Sequence, residues 1–284
     1  TITGLGMASG ITYGTLEAVN VNLGSGGDTF TIASTHTGST VLNSNGGSDT
    51  ITVQATSGMT TVNGGADQDT VNVQAIGAAM TVNAGLGNDT INVGSLAPNA
   101  GGNVNAINAL LTINGEGQND TLNVDDSGDV SGNSGTLTGT ALTGLGMAQG
   151  IVYGTFEALN VGLGAGADTF TISSTHGGTS VLNANGGNDT VNLLSNAGVT
   201  TVNSGNGADT VNILSNGAAT TVNGGDDGDT INVRAIGATT TVNAGAGADT
   251  VNVGSLVPAV GGNVNSINAL LTVNGDGESD TLNV

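Results

Sequence analysis

Aspartate is the residue type in this sequence that could bind a ligand, because it recurs at one place in a regular repeat. The pair Asp-Thr occurs at successive steps of 21, 20, 20, 31, 48, 21, 20, 20, 20 and 31 residues. The aspartates are Asp28, Asp49, Asp69, Asp89, Asp120, Asp168, Asp189, Asp209, Asp229, Asp249 and Asp280. Carboxylate and carbonyl oxygens are the ligands that Ca²⁺ prefers. The repeat therefore predicts calcium sites with these side chains as ligands.

Each aspartate ends a six-residue loop in which glycine recurs at alternate places. Five loops carry glycine at the second and fourth places, namely Gly24 and Gly26, Gly85 and Gly87, Gly164 and Gly166, Gly205 and Gly207, and Gly245 and Gly247. Asn45 and Asn185 take the second place in two others, and asparagine tolerates positive φ. Alternating special dihedrals turn carbonyl groups inward, so the loop backbone is expected to complete the site. The loops ending at Asp69, Asp120, Asp229 and Asp280 depart from this pattern and are the weakest predicted sites.

The charge balance points to a cation as partner. One basic residue, Arg234, faces 22 acidic residues, and the net charge is -21. Nucleic acids and anionic membrane surfaces need Lys and Arg, so neither is an expected partner, and no apolar stretch predicts membrane insertion. Aspartates stacked about 4.8 Å apart would repel each other by about 1 kcal/mol in water and about 3–4 kcal/mol at an effective dielectric of 20. The ordinary alternative is that each aspartate makes an Asx-turn within its own loop.

The elements that position these loops are short strands. In the segment Thr230–Val233, Ile231 and Val233 alternate with Thr230 and Asn232, which is the pattern of a half-buried strand. Glycine, threonine and asparagine dominate where a helix would need Lys, Glu and Gln. Similar coils that repeat in one direction predict stacked parallel ladders. The fold class is therefore all-β, a right-handed parallel β-solenoid with coils of about 20 residues.

A longer repeat overlies the coils. Residues 4–32 return at 144–172, an offset of 140, and residues 93–124 return at 253–284, an offset of 160. We predict a first super-repeat over 1–143, with irregular linking coils at 125–143, and a second over 144–284 with one extra coil at 201–220. Together they form one continuous rod in which neighbouring repeats, or identical chains, are each other's partners. Pro98 and Pro258 lie in matched insertions that are predicted to bulge from the rod as side loops.

The loops resemble the calcium-binding repeat of the haemolysin-type (RTX) family, G-G-x-G-x-D-x-U-x, although none has all three glycines. In that family the aspartate and the loop carbonyls bind Ca²⁺ between turns of a β-roll, usually on both edges. The second turn here carries no acid, so one row of calcium is expected, as in the β-solenoids of giant bacterial adhesins. The resemblance implies a calcium-stabilised rod or spacer of a secreted bacterial protein, extracellular or on the cell surface.

Three other functions are open on the residues alone. Outward Thr-x-Asn pairs such as Thr241 and Asn243 could form an ice-binding or carbohydrate-binding surface, with ordinary ladder hydrogen bonding as the alternative. An enzyme is disfavoured, because the acids are spread evenly along the chain and Arg234 is the one basic residue. His36 and His176 lie in matched segments without a catalytic pattern around them and are expected in surface turns.

Overall fold

The computed structural model describes residues 1–284, and every regular element in it is a strand. The strands are β1 (Ala18–Asn22), β2 (Thr29–Ile32), β3 (Ser39–Asn43), β4 (Thr50–Val53), β5 (Thr60–Ala66), β6 (Thr70–Val73), β7 (Met80–Leu86), β8 (Thr90–Val93), β9 (Leu111–Gly117), β10 (Thr121–Asp125), β11 (Ser134–Leu137), β12 (Ala141–Gly144), β13 (Ile151–Gly154), β14 (Ala158–Gly162), β15 (Thr169–Ile172), β16 (Thr179–Asn183), β17 (Thr190–Leu193), β18 (Thr200–Asn206), β19 (Thr210–Ile213), β20 (Thr220–Asp226), β21 (Thr230–Val233), β22 (Thr240–Ala246), β23 (Thr250–Val253), β24 (Leu271–Asn274) and β25 (Thr281–Asn283). The fold offers no helix that is long and apolar enough to cross a membrane.

The strands form two long sheets, which confirms the parallel β-solenoid. Sheet 1 has 14 strands in the order β1-β3-β5-β7-β9-β13-β12-β11-β15-β17-β19-β21-β23-β25. Sheet 2 has 11 strands in the order β2-β4-β6-β8-β10-β14-β16-β18-β20-β22-β24. Strands of consecutive coils pair in parallel at equivalent residues, as Thr220 does with Thr240 and Val222 with Val242. The 20-residue period of the sequence is therefore the period of the coil.

The core is a thin layer of aliphatic side chains between the sheets. Val222 and Ile231, at the alternating inward positions of one coil, are both fully buried. A single cluster of 49 buried residues extends through both halves of the chain. Each buried Val, Leu or Ile contributes about 1.5–3 kcal/mol relative to exposure. Because the strands of each coil pair with those of the adjoining coils, each coil is stabilised chiefly by its immediate neighbours.

The outward asparagines form amide ladders along the sheets. Asn243 Nδ2 donates to Asn223 Oδ1 at 2.7 Å, and Asn223 in turn donates to Asn203 at 2.7 Å. The same bond recurs in the other sheet, where Asn232 donates to Asn212 at 2.8 Å. Asn232 is buried and the other four side chains are half-buried, and each bond uses one donor and one acceptor of the paired amides. This geometry supports ordinary ladder hydrogen bonding for the Thr-x-Asn surface.

The two halves of the rod are out of phase by half a coil. Up to β10, the strand that precedes each aspartate loop lies in sheet 1 and the strand that follows it lies in sheet 2. From β14 onward the assignment is reversed, because β10, which follows Asp120, pairs directly with β14, which precedes Asp168. The aspartate loops therefore cross from sheet 1 to sheet 2 in the first half and from sheet 2 to sheet 1 in the second.

The shift is made by three extra strands in the segment between Asp126 and Glu157. In sheet 1, β9 pairs in parallel with β13, β13 and β12 pair antiparallel, β12 and β11 pair antiparallel, and β11 pairs in parallel with β15. Sheet 2 has no counterpart to them. Leu142, Ile151 and Tyr153 from this segment are buried in the common core. The irregular segment is thus a packed part of the rod.

The matched insertions are only partly side loops. In the first, Pro98 lies at the surface side, but Val104 and Ile107 are fully buried and Ile107 forms a bridge with Ile76. The insertion is fixed to the preceding coil because Gln74 Nε2 donates to the Ala97 carbonyl at 2.8 Å. The predicted bulge therefore describes only the first part of the insertion, and the rest completes the core.

Candidate functional site: two aspartate columns

The predicted single row of aspartates is wrong, because the half-coil shift divides it between the two edges of the rod. The first column contains Asp28, Asp49, Asp69, Asp89 and Asp120, and the second contains Asp168, Asp189, Asp209, Asp229, Asp249 and Asp280. Beyond Asp120, the first edge continues with Glu157 and then with the turn before Thr179, which has no acidic residue. Thr179 N–H donates to the Glu157 carbonyl at 2.7 Å. The second column begins on the inserted loop of the first half, where Gly128 N–H donates to the Gly102 carbonyl at 2.7 Å.

Within a column, each carboxylate except that of the first member, Asp28 or Asp168, accepts a hydrogen bond from the backbone N–H of the preceding aspartate. Asp69 N–H donates to Asp89 Oδ1 at 2.7 Å, and Asp189 N–H donates to Asp209 Oδ1 at 2.7 Å. The bond therefore joins two coils, and the Asx-turn interpretation does not describe these loops. A bond to the aspartate's own loop occurs at the two outermost members, from Gly24 N–H to Asp28 Oδ2 at 3.1 Å and from Asp276 N–H to Asp280 Oδ2 at 3.3 Å.

The second carboxylate oxygen of each interior aspartate is buried and has no hydrogen-bond partner. This holds for Oδ2 of Asp49, Asp69, Asp89, Asp120, Asp168, Asp189, Asp209, Asp229 and Asp249. The residues that carry these atoms are at most 3% exposed. A buried anionic oxygen without a donor or a cation is costly, and natural folds rarely leave one. Nine such atoms in register require a common physical explanation.

Burial makes the charged form of these groups unfavourable. Desolvation raises the pKa of Asp69 and Asp209 to about 6 and that of Asp189 and Asp229 to about 7, against an ordinary value of 3.8. The charged groups that add to this effect are other aspartates, such as Asp227 beside Asp209. Arg234 is not among the charged groups that act on these carboxyls, and its Nε donates to the Val257 carbonyl at 2.9 Å. At neutral pH each column therefore favours binding a positive charge, either a proton or a metal ion.

The loop backbone has the alternating conformation that the glycines predict. The second and fourth places adopt positive φ in eight loops, at Asn45 and Gly47, Gly65 and Asp67, Gly85 and Gly87, Glu116 and Gln118, Asn185 and Gly187, Gly205 and Gly207, Gly225 and Asp227, and Gly245 and Gly247. Three of the four loops singled out as departures, those ending at Asp69, Asp120 and Asp229, therefore keep the same geometry with non-glycine residues. Gly24, Gly26, Gly164 and Gly166 do not have positive φ, so the loops ending at Asp28 and Asp168 differ.

In the interior loops that begin with glycine, the unpartnered oxygen points toward the start of its own loop. A Cβ added to Gly64 would lie 2.8 Å from Asp69 Oδ2, and one added to Gly115 would lie 2.6 Å from Asp120 Oδ2. Glycine at the first place of these loops therefore leaves room beside the carboxylate. The space is bounded by oxygens and peptide groups, which is the donor set of a hard cation.

Two residues that complete the columns were not among the predicted ligands. Glu157 takes the place of an aspartate above Asp120, whose N–H donates to Glu157 Oε2 at 2.7 Å. Asn133 takes the corresponding place below Asp168, and its N–H donates to Asp168 Oδ1 at 2.6 Å. The matched segments TLEAV and TFEAL were a signal for a structural glutamate, whereas nothing in the sequence around Asn133 repeats elsewhere.

The donor chemistry of the columns fits Ca²⁺ in type. One free carboxylate oxygen per interior coil and adjacent carbonyl groups are hard oxygen ligands, and Ca²⁺ takes six to eight of them. No three acidic or histidine side chains converge closely enough to hold a metal ion by themselves. Backbone carbonyls and water would therefore supply most of the ligands at each site.

No protein-family model matches this chain, and a search of curated proteins finds no significant match.

Proposed function

We propose that this chain is a calcium-stabilised structural rod that serves as a spacer in a larger extracellular or cell-surface bacterial protein. The observation that carries the proposal is the pair of buried aspartate columns, whose interior Oδ2 atoms have no partner and no basic neighbour. Bound Ca²⁺ would supply the missing positive charge. The Oδ2 atom and the loop carbonyls of the chain would hold the ion.

The proposal favours calcium over protons because of the pH at which such a rod has to stay folded. A carboxyl whose pKa is about 6, such as that of Asp69, is largely deprotonated at neutral pH. Protonation therefore offsets only part of the charge of a column. A divalent cation would neutralise the rest and attract loops of two coils at once, which converts repulsion between coils into a link.

The spacer role follows from the nearest-neighbour architecture. Consecutive coils pair at a fixed register over both sheets, so coil number sets length at about 4.8 Å per coil. The long faces carry ladders of paired amides and the edges carry buried acids, both spread evenly along the rod. This uniformity supports a structural role over a catalytic one.

The test is a thermal melt of the whole chain, followed by circular dichroism, with calcium and with EDTA. The expected result is that EDTA lowers the melting temperature strongly and that millimolar Ca²⁺ restores it, because neutralisation of the columns is coupled to folding. Calorimetry on the same samples counts the bound ions, and magnesium serves as the matched control cation. An unchanged melting temperature in EDTA would show that the columns are neutralised in another way.

A further inference from the structure

Beside the half-coil shift, a groove of about 350 Å³ lies on the outer face of sheet 2, under the loop that carries Pro98. Its floor includes the outer-face residues Asn123, Asn160, Gly162 and Asn183, and its wall includes Pro98. The volume is in the range of sites for small ligands. The groove differs chemically from the aspartate columns, because it is lined mainly by uncharged residues, among them several asparagine amides.

The groove exists because one side chain is missing from an outer row of the sheet. In sheet 2, Gly162 pairs on one side with Asp125 and on the other with Asn183. The matching position in the first super-repeat is Asn22, whose Oδ1 accepts from Asn43 Nδ2 at 2.7 Å. Glycine at 162 removes both the volume and the hydrogen-bond partner that asparagine supplies at 22.

The groove contains an unpaired donor and an unpaired acceptor. The donor is left by the missing side chain at 162, and the acceptor is left because Val181 is the residue paired with Asn160 in the next strand. Asn160 Nδ2 donates to Asn123 Oδ1 at 2.8 Å, but no protein group donates to Asn160 Oδ1. Asn183 Oδ1 accepts from Asn203 at 2.7 Å, but Asn183 Nδ2 has no protein acceptor. Both side chains are half-buried, and the same groups are paired at Asn203, Asn223 and Asn243 farther along this ladder.

The walls of the groove are fixed before any ligand binds. Gly102 N–H donates to Asp125 Oδ2 at 2.8 Å, and Gly101 N–H donates to Ser127 Oγ at 3.0 Å. Both Ser127 groups, N–H and Oγ–H, donate to Asp125 Oδ1. The loop is thus tied to the strand below it, and the one carboxylate in the groove already accepts three hydrogen bonds. A rigid site loses little conformational entropy on binding.

We propose that this groove binds a neutral saccharide. Free amide C=O and N–H groups match hydroxyls, which both donate and accept. Pro98 and Ala100, which are exposed on the wall, provide an apolar surface for the C–H face of a sugar ring. An anionic ligand would find no basic residue here, and a metal ion would find only the engaged carboxylate of Asp125. The proposal concerns a different face from the calcium columns and needs only a folded rod.

The test is saturation-transfer difference NMR on the whole chain at saturating Ca²⁺. The probes are maltose, cellobiose, lactose and N,N′-diacetylchitobiose. We expect at least one to receive saturation, with a dissociation constant on the order of 1 mM. Absence of transfer to all four would overturn the proposal. The calcium-dependent melt is unaffected by that result, so the two proposals can fail separately.

The decisive variant is Gly162→Asn, which restores the residue found at position 22. A Cβ at 162 would have its nearest neighbours at 3.8 Å, so the variant is expected to fold. It should weaken sugar binding at least tenfold, because the new amide fills the groove and pairs with Asn183. The matched control is Gly177→Asn, where a Cβ has no neighbour within 4 Å. Equal binding by wild type and Gly162→Asn overturns the proposal, and Asn183→Ala, with the same expected loss, replaces Gly162→Asn if circular dichroism shows misfolding.

Discussion

Replacing one interior column residue, Asp209→Asn, should stabilise the metal-free rod and lose that advantage as calcium is added. The asparagine Oδ1 can still accept the hydrogen bond from Asp189 N–H, which is 2.7 Å long in the native chain. The substitution therefore changes mainly the second oxygen, which has no partner, and the charge. Asp209 is chosen because burial is the largest cause of its raised pKa. Its charge also raises the pKa of Asp189 and Asp229, so the substitution relieves repulsion on both column neighbours.

The size of the effect follows from the pKa of the native carboxyl. Burial raises the pKa of Asp209 from 3.8 to about 6, and each pKa unit corresponds to about 1.4 kcal/mol. At pH 7.5 in EDTA, the variant should gain about 3 kcal/mol of unfolding free energy. A site that binds calcium stabilises the native chain by about 1.4 kcal/mol for each tenfold rise in free Ca²⁺ above its dissociation constant. The gain should thus vanish when free Ca²⁺ is roughly 150 times that constant, and reverse above it.

The assay is urea denaturation of wild type and variant across a series of buffered calcium concentrations. Asp226→Asn is the matched control, because Asp226 is an exposed acid outside the column and should change stability by less than about 0.5 kcal/mol throughout. A stability difference between Asp209→Asn and wild type that does not vary with calcium would refute the metal site at this position. A loss of stability in EDTA would refute the cost assigned to the buried charge.

The metal-free rod should become less stable as pH rises through 6–7. The reason is that the pKa of Asp189 is raised to about 7 in the folded chain, which therefore binds more protons than the unfolded chain. Denaturation in EDTA from pH 5 to 8 measures this stability, and a stability that increases with pH contradicts the prediction. Deletion of 201–220 should leave a folded, calcium-dependent rod about 4.8 Å shorter. Deletion of 201–210 should abolish folding, because it breaks the register between coils. If the two deletion variants behave alike in small-angle scattering, the coils are not independent units. Glu157→Ala should cost about 1–3 kcal/mol, because Asp120 N–H loses its acceptor. Glu17→Ala should cost little, because only the backbone carbonyl of Glu17 accepts hydrogen bonds. Similar losses in denaturant titrations would argue against the role of Glu157.

The coil could be predicted from the sequence because its determinants are local. Alternation in segments such as Thr230–Val233 fixes which side chains face inward, and the recurring Asp-Thr pair fixes the register between coils. The special dihedrals of the loops were also predictable from glycine. The structure adds that Glu116 and Gln118 adopt the same positive φ, since stacking on the neighbouring coil imposes the conformation.

The half-coil shift could not be predicted in the same way. Alternation shows that a strand has a buried face, but the same pattern suits sheet 1 and sheet 2. The step of 48 residues from Asp120 to Asp168 is not a whole number of coils, which was the available signal. The step of 31 from Asp89 to Asp120 is not a whole number either, yet it keeps the phase because the insertion rejoins the same sheet. The two cases differ in long-range pairing of β10 with β14, which no local pattern records.

The exchange of edges by the aspartate columns has a consequence for the curvature of the rod. Repulsion between the aspartates on one edge would lengthen that edge, and bound cations would shorten it. A rod with a single column would therefore bend when the calcium concentration changes. Here Asp28 to Asp120 act on one edge and Asp168 to Asp280 act on the other. If the columns bind calcium as proposed, the two halves would bend in opposite senses and the bends would offset each other. A change in calcium would then alter the stiffness of the rod more than its direction.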